Sequence, residues 1–98
     1  MKNLIDQKVV IRSYYAGNWA GKVVEVDETN GMFKVENAYR LWSWTAIEGV
    51  SLSEVANNGV KAGKICKPVP FVWLNIKDTY EILPLSDKAE KTIEKCAR

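Results

Sequence analysis

The sequence predicts a mainly β (α+β) fold: a small bent meander, or half-open β-barrel, that carries two short helices. Two observations predict it. Three segments rich in β-branched and aromatic residues follow one another through tight turns in the first half of the chain. Helix-start patterns appear only after these segments. So short a meander encloses a core only if its sheet is strongly bent.

The first three strands are defined by composition and by the turns between them. Residues 8–15 (KVVIRSYY) and 20–27 (AGKVVEVD) flank the turn AGNW. The dipeptide Asn30-Gly31 tolerates positive φ and predicts a hairpin into a third, long strand over 32–44 (MFKVENAYRLWSW). A break or bulge near Asn37 is compatible with this third strand.

The second half of the chain predicts the two helices. Ser51-Leu52-Ser53-Glu54 matches a capping box, and Gly59 follows as a C-cap, so we expect a short helix near 52–58. Ser86 is placed to cap a C-terminal helix near 87–97, whose apolar stripe contains Ala89 and Ile93. With these additions the predicted architecture is Src-homology-3-like.

Between the two helices the sequence predicts extended structure. Pro68 and Pro70 have no backbone N–H to donate to a neighbouring strand. We therefore expect 61–70 to run extended over the surface and not as a central strand. Residues 71–85 (FVWLNIKDTYEILPL) predict one long strand, or a hairpin that turns near Lys77-Asp78.

Length and composition predict a single domain over 1–98. The net charge of +2, from 14 basic and 12 acidic residues, disfavours a nucleic-acid partner, which needs a strongly basic face. No segment approaches the roughly 20 apolar residues of a membrane span, and the start MKNLIDQKVVIRS lacks the apolar run of a signal peptide. We therefore expect a cytoplasmic protein without a membrane partner.

The residue inventory argues against catalysis. The chain has no histidine, no Cys-x-x-Cys pair and none of the common phosphate-loop or nucleophile-elbow motifs. Cys66 and Cys96 are therefore expected to be free, incidental thiols in a reducing compartment. We predict a protein that is not an enzyme, with no metal site, no catalytic residue and no cofactor.

The stretch AYRLWSWTAIEG carries the main candidate site. If the third strand is continuous from Phe33, strand alternation places Phe33, Val35, Tyr39 and Leu41 on one face, whereas a bulge at Asn37 would change which early residues join that set. The same alternation places Arg40, Trp42 and Trp44 together on the other, partly exposed face. This set predicts a surface on which a planar ligand stacks while Arg40 holds its anionic group.

Two other interpretations of the tryptophans remain open. Trp42 and Trp44 could pack under the short helix as a second small core, because so small a chain needs buried area. They could equally anchor a protein–protein interface. One tryptophan can also be core while its neighbour lines a pocket.

Further candidate ligand-binding residues repeat the pattern of basic and aromatic side chains. Arg12 and Tyr14 share a face of the first strand, and Trp73 is predicted to lie opposite Val72, Leu74 and Ile76. Lys64 belongs to a span between Glu54 and Asp78 that holds lysines and no acidic residue. That span is either a solvated loop or one wall of an anion site.

Four quoted segments carry a resemblance that covers about residues 8–94: VVIRSYYAGNWAGKVVEVD, ENAYRLWSWTAIEGVSLSEVA, KICKPVP and YEILPLSDKAEKTIE. The chain resembles a family of small phage- or prophage-encoded proteins of unknown function. The shared pattern is an Arg-Leu-Trp-x-Trp motif followed by a Ser-Leu-Ser-Glu helix start. The resemblance implies a phage origin and a bacterial host cytoplasm, and it brings no assigned activity.

Three functions remain as hypotheses. The first is a counter-defence factor that sequesters a small anionic, nucleotide-like host signal. The second is a protein–protein interaction module that inhibits or adapts a host protein. The third, a small nucleic-acid-binding barrel, is disfavoured by the charge. An exposed sheet edge leaves a homo-oligomer open as well.

Overall fold

The computed structural model describes residues 1–49 and 51–98. Within these residues it contains six strands, two α-helices and two 3₁₀ turns, at Lys2–Leu4 and Ile76–Asp78. The strands and helices follow in the order β1 Lys8–Ser13, β2 Gly17–Asp27, β3 Met32–Ala46, α1 Leu52–Asn58, β4 Val60–Ile65, β5 Val69–Asn75, β6 Thr79–Pro84 and α2 Asp87–Cys96. The predicted mainly β class and both predicted helices are confirmed.

All six strands belong to one antiparallel sheet that is arranged around β3. One edge of β3 pairs with β2, while the other edge pairs with β5 over 32–38 and with β4 over 41–46. Strand β1 lies between β2 and β6. Over the described residues the ladder runs β4-β3-β2-β1-β6, with β5 beside β3, and no strand pair closes it into a ring. The sheet is therefore open, as the half-open alternative expects.

The sheet is buried on both faces, which gives the small domain two cores. The first, here called the barrel core, lies within the bend of the sheet and comprises Val9, Ile11, Trp19, Val23, Phe33, Val35, Ala38 and Leu74. The second, the helix-side core, lies beneath α1 and α2 on the opposite face and comprises Val10, Ala20, Tyr39, Leu41, Ala46, Leu52, Val55, Ala56, Val60, Ile65, Leu85, Ala89 and Ile93. Successive residues of β1 alternate between the two cores.

A bulge in β3 changes which residues face each core. Asn37 has a φ of +50°, and the β2–β3 register shifts between Ala20 and Lys22, so Gly21 faces an extra residue of β3. Phe33 and Val35 therefore lie in the barrel core, whereas Tyr39 and Leu41 lie in the helix-side core. The prediction that these four side chains share one face is wrong, because the bulge reverses the alternation between Val35 and Tyr39.

Helix α1 lies where the sequence predicts it, but its start is built differently. Ser51 is the N-cap residue, yet its hydroxyl makes no capping bond and lies 2.8 Å from the hydroxyl of Ser53. The capping-box prediction is therefore right about position and wrong about the side-chain bond. Gly59 ends the helix with a φ of +93°, and its N–H donates to the Val55 carbonyl.

Helix α2 is tied to the sheet through both of its ends. The Ser86 hydroxyl accepts from the Ala89 N–H at 3.0 Å, which confirms the predicted cap. Lys8 Nζ lies 2.8 Å from Glu90 Oε1, and this hydrogen bond is the main cause of the raised pKa of Lys8. The helix ends at Cys96, and Ala97 forms a parallel bridge to Ile65.

Two of the extended segments differ from expectation. Residues 60–65 form an edge strand, β4, because β3 is long enough to offer a second pairing site beyond β5. Pro68 lies between β4 and β5, whereas Pro70 lies inside β5, a strand that, among those described, pairs only with β3 and therefore has a free edge where no backbone N–H is needed. Residues 71–85 are neither one strand nor a hairpin: the 3₁₀ turn at Ile76–Asp78 sends β5 and β6 to different edges of the sheet.

The close approach at Gly21 supplies a test of the bulge. A Cβ at this buried position would lie 2.6 Å from Val35 Cγ1 and 2.9 Å from the Glu36 carbonyl oxygen. Gly21→Ala should therefore lower the free energy of unfolding by about 2–3 kcal/mol. The control is Gly31→Ala, which meets no atom within 4 Å and carries only the strain of a φ of +68°, about 1 kcal/mol. Denaturant unfolding measures both, and equal losses would contradict the close packing of β3 against Gly21.

Candidate functional site

The structure separates the two tryptophans that the sequence groups together. The β3–β4 register shifts between Leu41 and Ser43, so β3 carries a second irregularity at this point. Beyond it, Trp44 packs against the helix-side core, as Leu41 does. Trp42 remains 70% exposed. The prediction that Arg40, Trp42 and Trp44 lie together on one face is wrong, because the register shift turns Trp44 toward the helices.

Arg40 lies on the barrel-core side of β3, half-buried against Trp19. Its guanidinium carbon is 4.2 Å from the centroid of the Trp19 ring, a cation–π distance. Its Nη1 donates to the Ala16 carbonyl at 2.8 Å, and Trp19 Nε1 donates to the same oxygen at 3.0 Å. Arg40 and Trp19 together hold the β1–β2 turn in place.

Trp42 forms one wall of an open cavity at the outer edge of the sheet. This cavity, here called the Trp42 cavity, has a volume of about 420 Å³ and is lined by Trp42, Gly63, Lys64, Ile65, Cys66 and Arg98. Its charged side chains, Lys64 and Arg98, are both basic. The Arg98 backbone is fixed beside β4, since its N–H donates to the Ile65 carbonyl at 2.9 Å.

Trp44 lines a different cavity beside the start of α1. This Trp44 cleft has a volume of about 350 Å³ and is lined by Arg12, Asn18, Trp44, Ser51, Leu52, Ser53 and Glu81. Arg12 lies between Asn18 of β2 and Glu81 of β6 in the sheet register. Its Nη1 is 3.9 Å from Glu81 Oε1, with both side chains substantially exposed. The cleft therefore contains a basic and an acidic group side by side.

Tyr14 and Trp73 lie outside both cavities, each in its own exposed aromatic group. Tyr14 makes edge-on contacts with Tyr15 and Tyr80, with ring centroids 4.6 Å and 5.4 Å apart. Trp73 is exposed on β5, as predicted, and Lys34 Nζ is 5.9 Å from its ring centroid. The predicted ligand-binding residues thus fall into five separate places on the molecule, and their role in binding stays a prediction.

Several lining residues of the two cavities were not singled out from the sequence. Arg98 reaches the Trp42 cavity only through the bridge that Ala97 makes with Ile65. Asn18 and Glu81 reach the Trp44 cleft by pairing with Arg12, which is close to Asn18 in the chain but far from Glu81. Cys66 lies in the wall of the Trp42 cavity, and both it and Cys96 are free thiols, as expected.

The comparisons with known proteins identify a family without an assigned activity. The family model described as "Domain of unknown function (DUF6948)" matches residues 6–93, and the chain belongs to this family. No curated protein and no solved structure gives a significant match. Among the helices that the structure describes, none has the length and apolar character needed to cross a membrane.

The contacts of Arg40 predict a measurable contribution to stability. Arg40→Ala removes a charge-assisted hydrogen bond and the contact with Trp19, so it should lower the free energy of unfolding by about 1.5–3 kcal/mol. Arg12→Ala is the control, because its exposed ion pair with Glu81 should contribute less than about 1 kcal/mol. Thermal or urea unfolding compares the two variants. If Arg40→Ala were as stable as Arg12→Ala, the bond to Ala16 would not hold the turn.

Proposed function

We propose that the protein is a non-enzymatic, phage-encoded counter-defence factor that binds and sequesters a small anionic host signal of the nucleotide class. We place the site at the Trp42 cavity. The resemblance to small phage proteins is the support for the origin and for the biological role. The support for the ligand class is chemical and comes from the residues that line this cavity.

The exposed indole of Trp42 carries the proposal. A tryptophan that is 70% exposed contributes little to a core, yet this one forms the wall of a cavity large enough for a small ligand. Every base has a π-face, so an open indole supports stacking of a planar ring. In a family with no assigned activity, this is the feature of the molecule that most favours ligand binding.

The charges beside Trp42 favour an anion. Lys64 is exposed, and its ammonium can pair with a phosphate as a point charge, while Arg98 offers a planar fork of donors. Among the described residues that line the cavity, no side chain is acidic. A ligand with a base and one or a few phosphates can therefore satisfy the indole and both cations at once.

A ligand screen followed by calorimetry tests the proposal. Nucleoside mono-, di- and triphosphates and cyclic nucleotides are added in a thermal-shift assay, where a ligand at 100 times its Kd should add about 2.7 kcal/mol of stability. For the best ligand, Trp42→Ala should weaken binding by about 5- to 150-fold, since base stacking contributes about 1–3 kcal/mol. Lys64→Ala should weaken it by a similar factor through the lost ion pair.

Trp73→Ala is the matched control for Trp42→Ala. Trp73 is also an exposed tryptophan beside a lysine, but it lies on β5 and outside the cavity. We expect Trp73→Ala to keep full affinity and Trp42→Ala to keep the melting temperature. Trp73 is only 37% exposed, so its removal should lower the melting temperature while leaving the cavity intact. The absence of any stabilising nucleotide, or an equal loss in Trp73→Ala, would refute the assignment. Affinity that falls steeply with salt would instead indicate a longer nucleic acid.

A second candidate function is supported by the three tyrosines at one end of the sheet. Tyr14, Tyr15 and Tyr80 are 60%, 80% and 63% exposed, and Tyr14 contacts each of the other two edge-on. The Tyr14 N–H donates to the Asp78 carbonyl at 2.7 Å, which fixes the patch against the 3₁₀ turn. Rigid exposed tyrosines are typical anchors of protein interfaces, so a host protein is the alternative partner.

Site-specific photocrosslinking in bacterial cells distinguishes this alternative. A photoreactive residue at position 15 should crosslink one defined host protein, and Tyr14→Ala with Tyr80→Ala should abolish the product. The control carries the photoreactive residue at position 91 in place of Lys91, which is exposed on α2. Identical products from positions 15 and 91 would remove the support for an interface at the tyrosines.

A further inference from the structure

We propose that the Trp44 cleft is a second binding site, which takes a neutral polyhydroxylated ligand of the sugar class. Over residues 1–49 and 51–98, the cleft and the Trp42 cavity have no lining residue in common. The inference is independent of the nucleotide proposal, and each can fail without the other.

The charge of the cleft favours a neutral ligand. Arg12 and Glu81 lie opposite each other in the β1–β6 register, with 3.9 Å between Nη1 and Oε1. They are the charged side chains among the lining residues, and their charges cancel. A phosphate placed here would gain from Arg12 and be repelled by Glu81, whereas hydroxyl groups suit both, since the guanidinium donates and the carboxylate accepts.

The uncharged polar residues that line the cleft can also form hydrogen bonds with the hydroxyl groups of a ligand. The amide of Asn18 can donate and accept, and so can the hydroxyls of Ser51 and Ser53, which lie 2.8 Å apart. These groups come from β2 and from the start of α1, while Arg12 and Glu81 come from β1 and β6. Five polar side chains thus converge from four parts of the fold on a space of about 350 Å³, at the small end of ligand sites.

Trp44 supplies the apolar surface that a sugar ring needs. Its indole packs against the helix-side core, which restricts its motion, and part of it remains open to the cleft. The face of an aromatic ring is negative, so it attracts the polarised C–H groups on one face of a sugar. A rigid indole beside paired donors and acceptors therefore matches a ring that is apolar on one side and hydroxylated at its rim.

Nuclear magnetic resonance of the full chain locates the binding. The four tryptophans give four indole N–H signals, which single Trp→Phe variants assign. The probes are the methyl glycosides of glucose, galactose, mannose and N-acetylglucosamine at millimolar concentration. We expect at least one glycoside to shift the Trp44 signal in a saturable manner and to leave the Trp42 and Trp73 signals in place. Adenosine monophosphate should leave the Trp44 signal in place.

Variants test which groups hold the sugar. Asn18→Ala and Ser53→Ala should each raise the Kd of the active glycoside about 2- to 10-fold, as expected for one lost hydrogen bond. Asn3→Ala removes an exposed amide outside the cleft and should change nothing. The proposal is overturned if no glycoside shifts Trp44, if Asn3→Ala weakens binding as much as Asn18→Ala, or if adenosine monophosphate or a zwitterionic amino acid shifts Trp44 in place of the glycosides.

Discussion

The bulge that sets Asn37 opposite Gly21 is the constraint on which the rest of the structure depends. Strand β3 runs for 15 residues and pairs with three other strands, so it must contribute to both cores. On a regular strand every second side chain points to the same face throughout. The extra residue at Asn37 reverses that alternation, which sends Phe33 and Val35 into the barrel core and Tyr39 and Leu41 beneath the helices. Gly21 permits this, since a Cβ there would overlap the bulged segment.

Two cores on one sheet explain how a 98-residue chain with two short helices can be stable. Helix α1 has only seven residues and would not persist alone, but Leu52, Val55 and Ala56 are buried against the sheet and α2. The barrel core needs no helix, since β5 and β6 complete it from the two edges. With both faces of the sheet occupied, the Trp42 cavity lies at a sheet edge and the Trp44 cleft at the rim of α1.

The aromatic residues differ in how much of each side chain is buried at its position in the fold. Trp19 is 4% exposed and serves the barrel core, and Trp44 is half-buried against the helix-side core. Trp42 and the tyrosines at positions 14, 15 and 80 remain exposed. A domain of this size gains from every large side chain it buries. Those that stay outside are therefore the residues most informative about binding, and they motivate the two candidate functions proposed for this family member.

The sequence alone determined the fold class, the two helices, the free cysteines and the exposed position of Trp73, because these follow from local patterns. Alternation within a single short strand is enough to separate Leu74 from Trp73, and a serine before an apolar stripe is enough to start α2. The sequence also indicated a break near Asn37. It could not decide between a continuous strand and a bulge that changes which side chains share a face, since that depends on how β2 pairs opposite it.

Only the tertiary structure decided which candidate residues share a cavity. Arg40 was predicted beside Trp42 and Trp44, but it stacks on Trp19, a neighbour that strand pairing alone supplies. Lys64 meets Trp42 because β4 folds back on β3, and Arg12 meets Trp44 because β1 and α1 approach the same end of the sheet. The long-range register of the strands determines which of these residues meet, and no local pattern in the chain shows which strands pair. The sequence therefore predicted which side chains are suited to binding. It did not predict which of them lie in the same cavity.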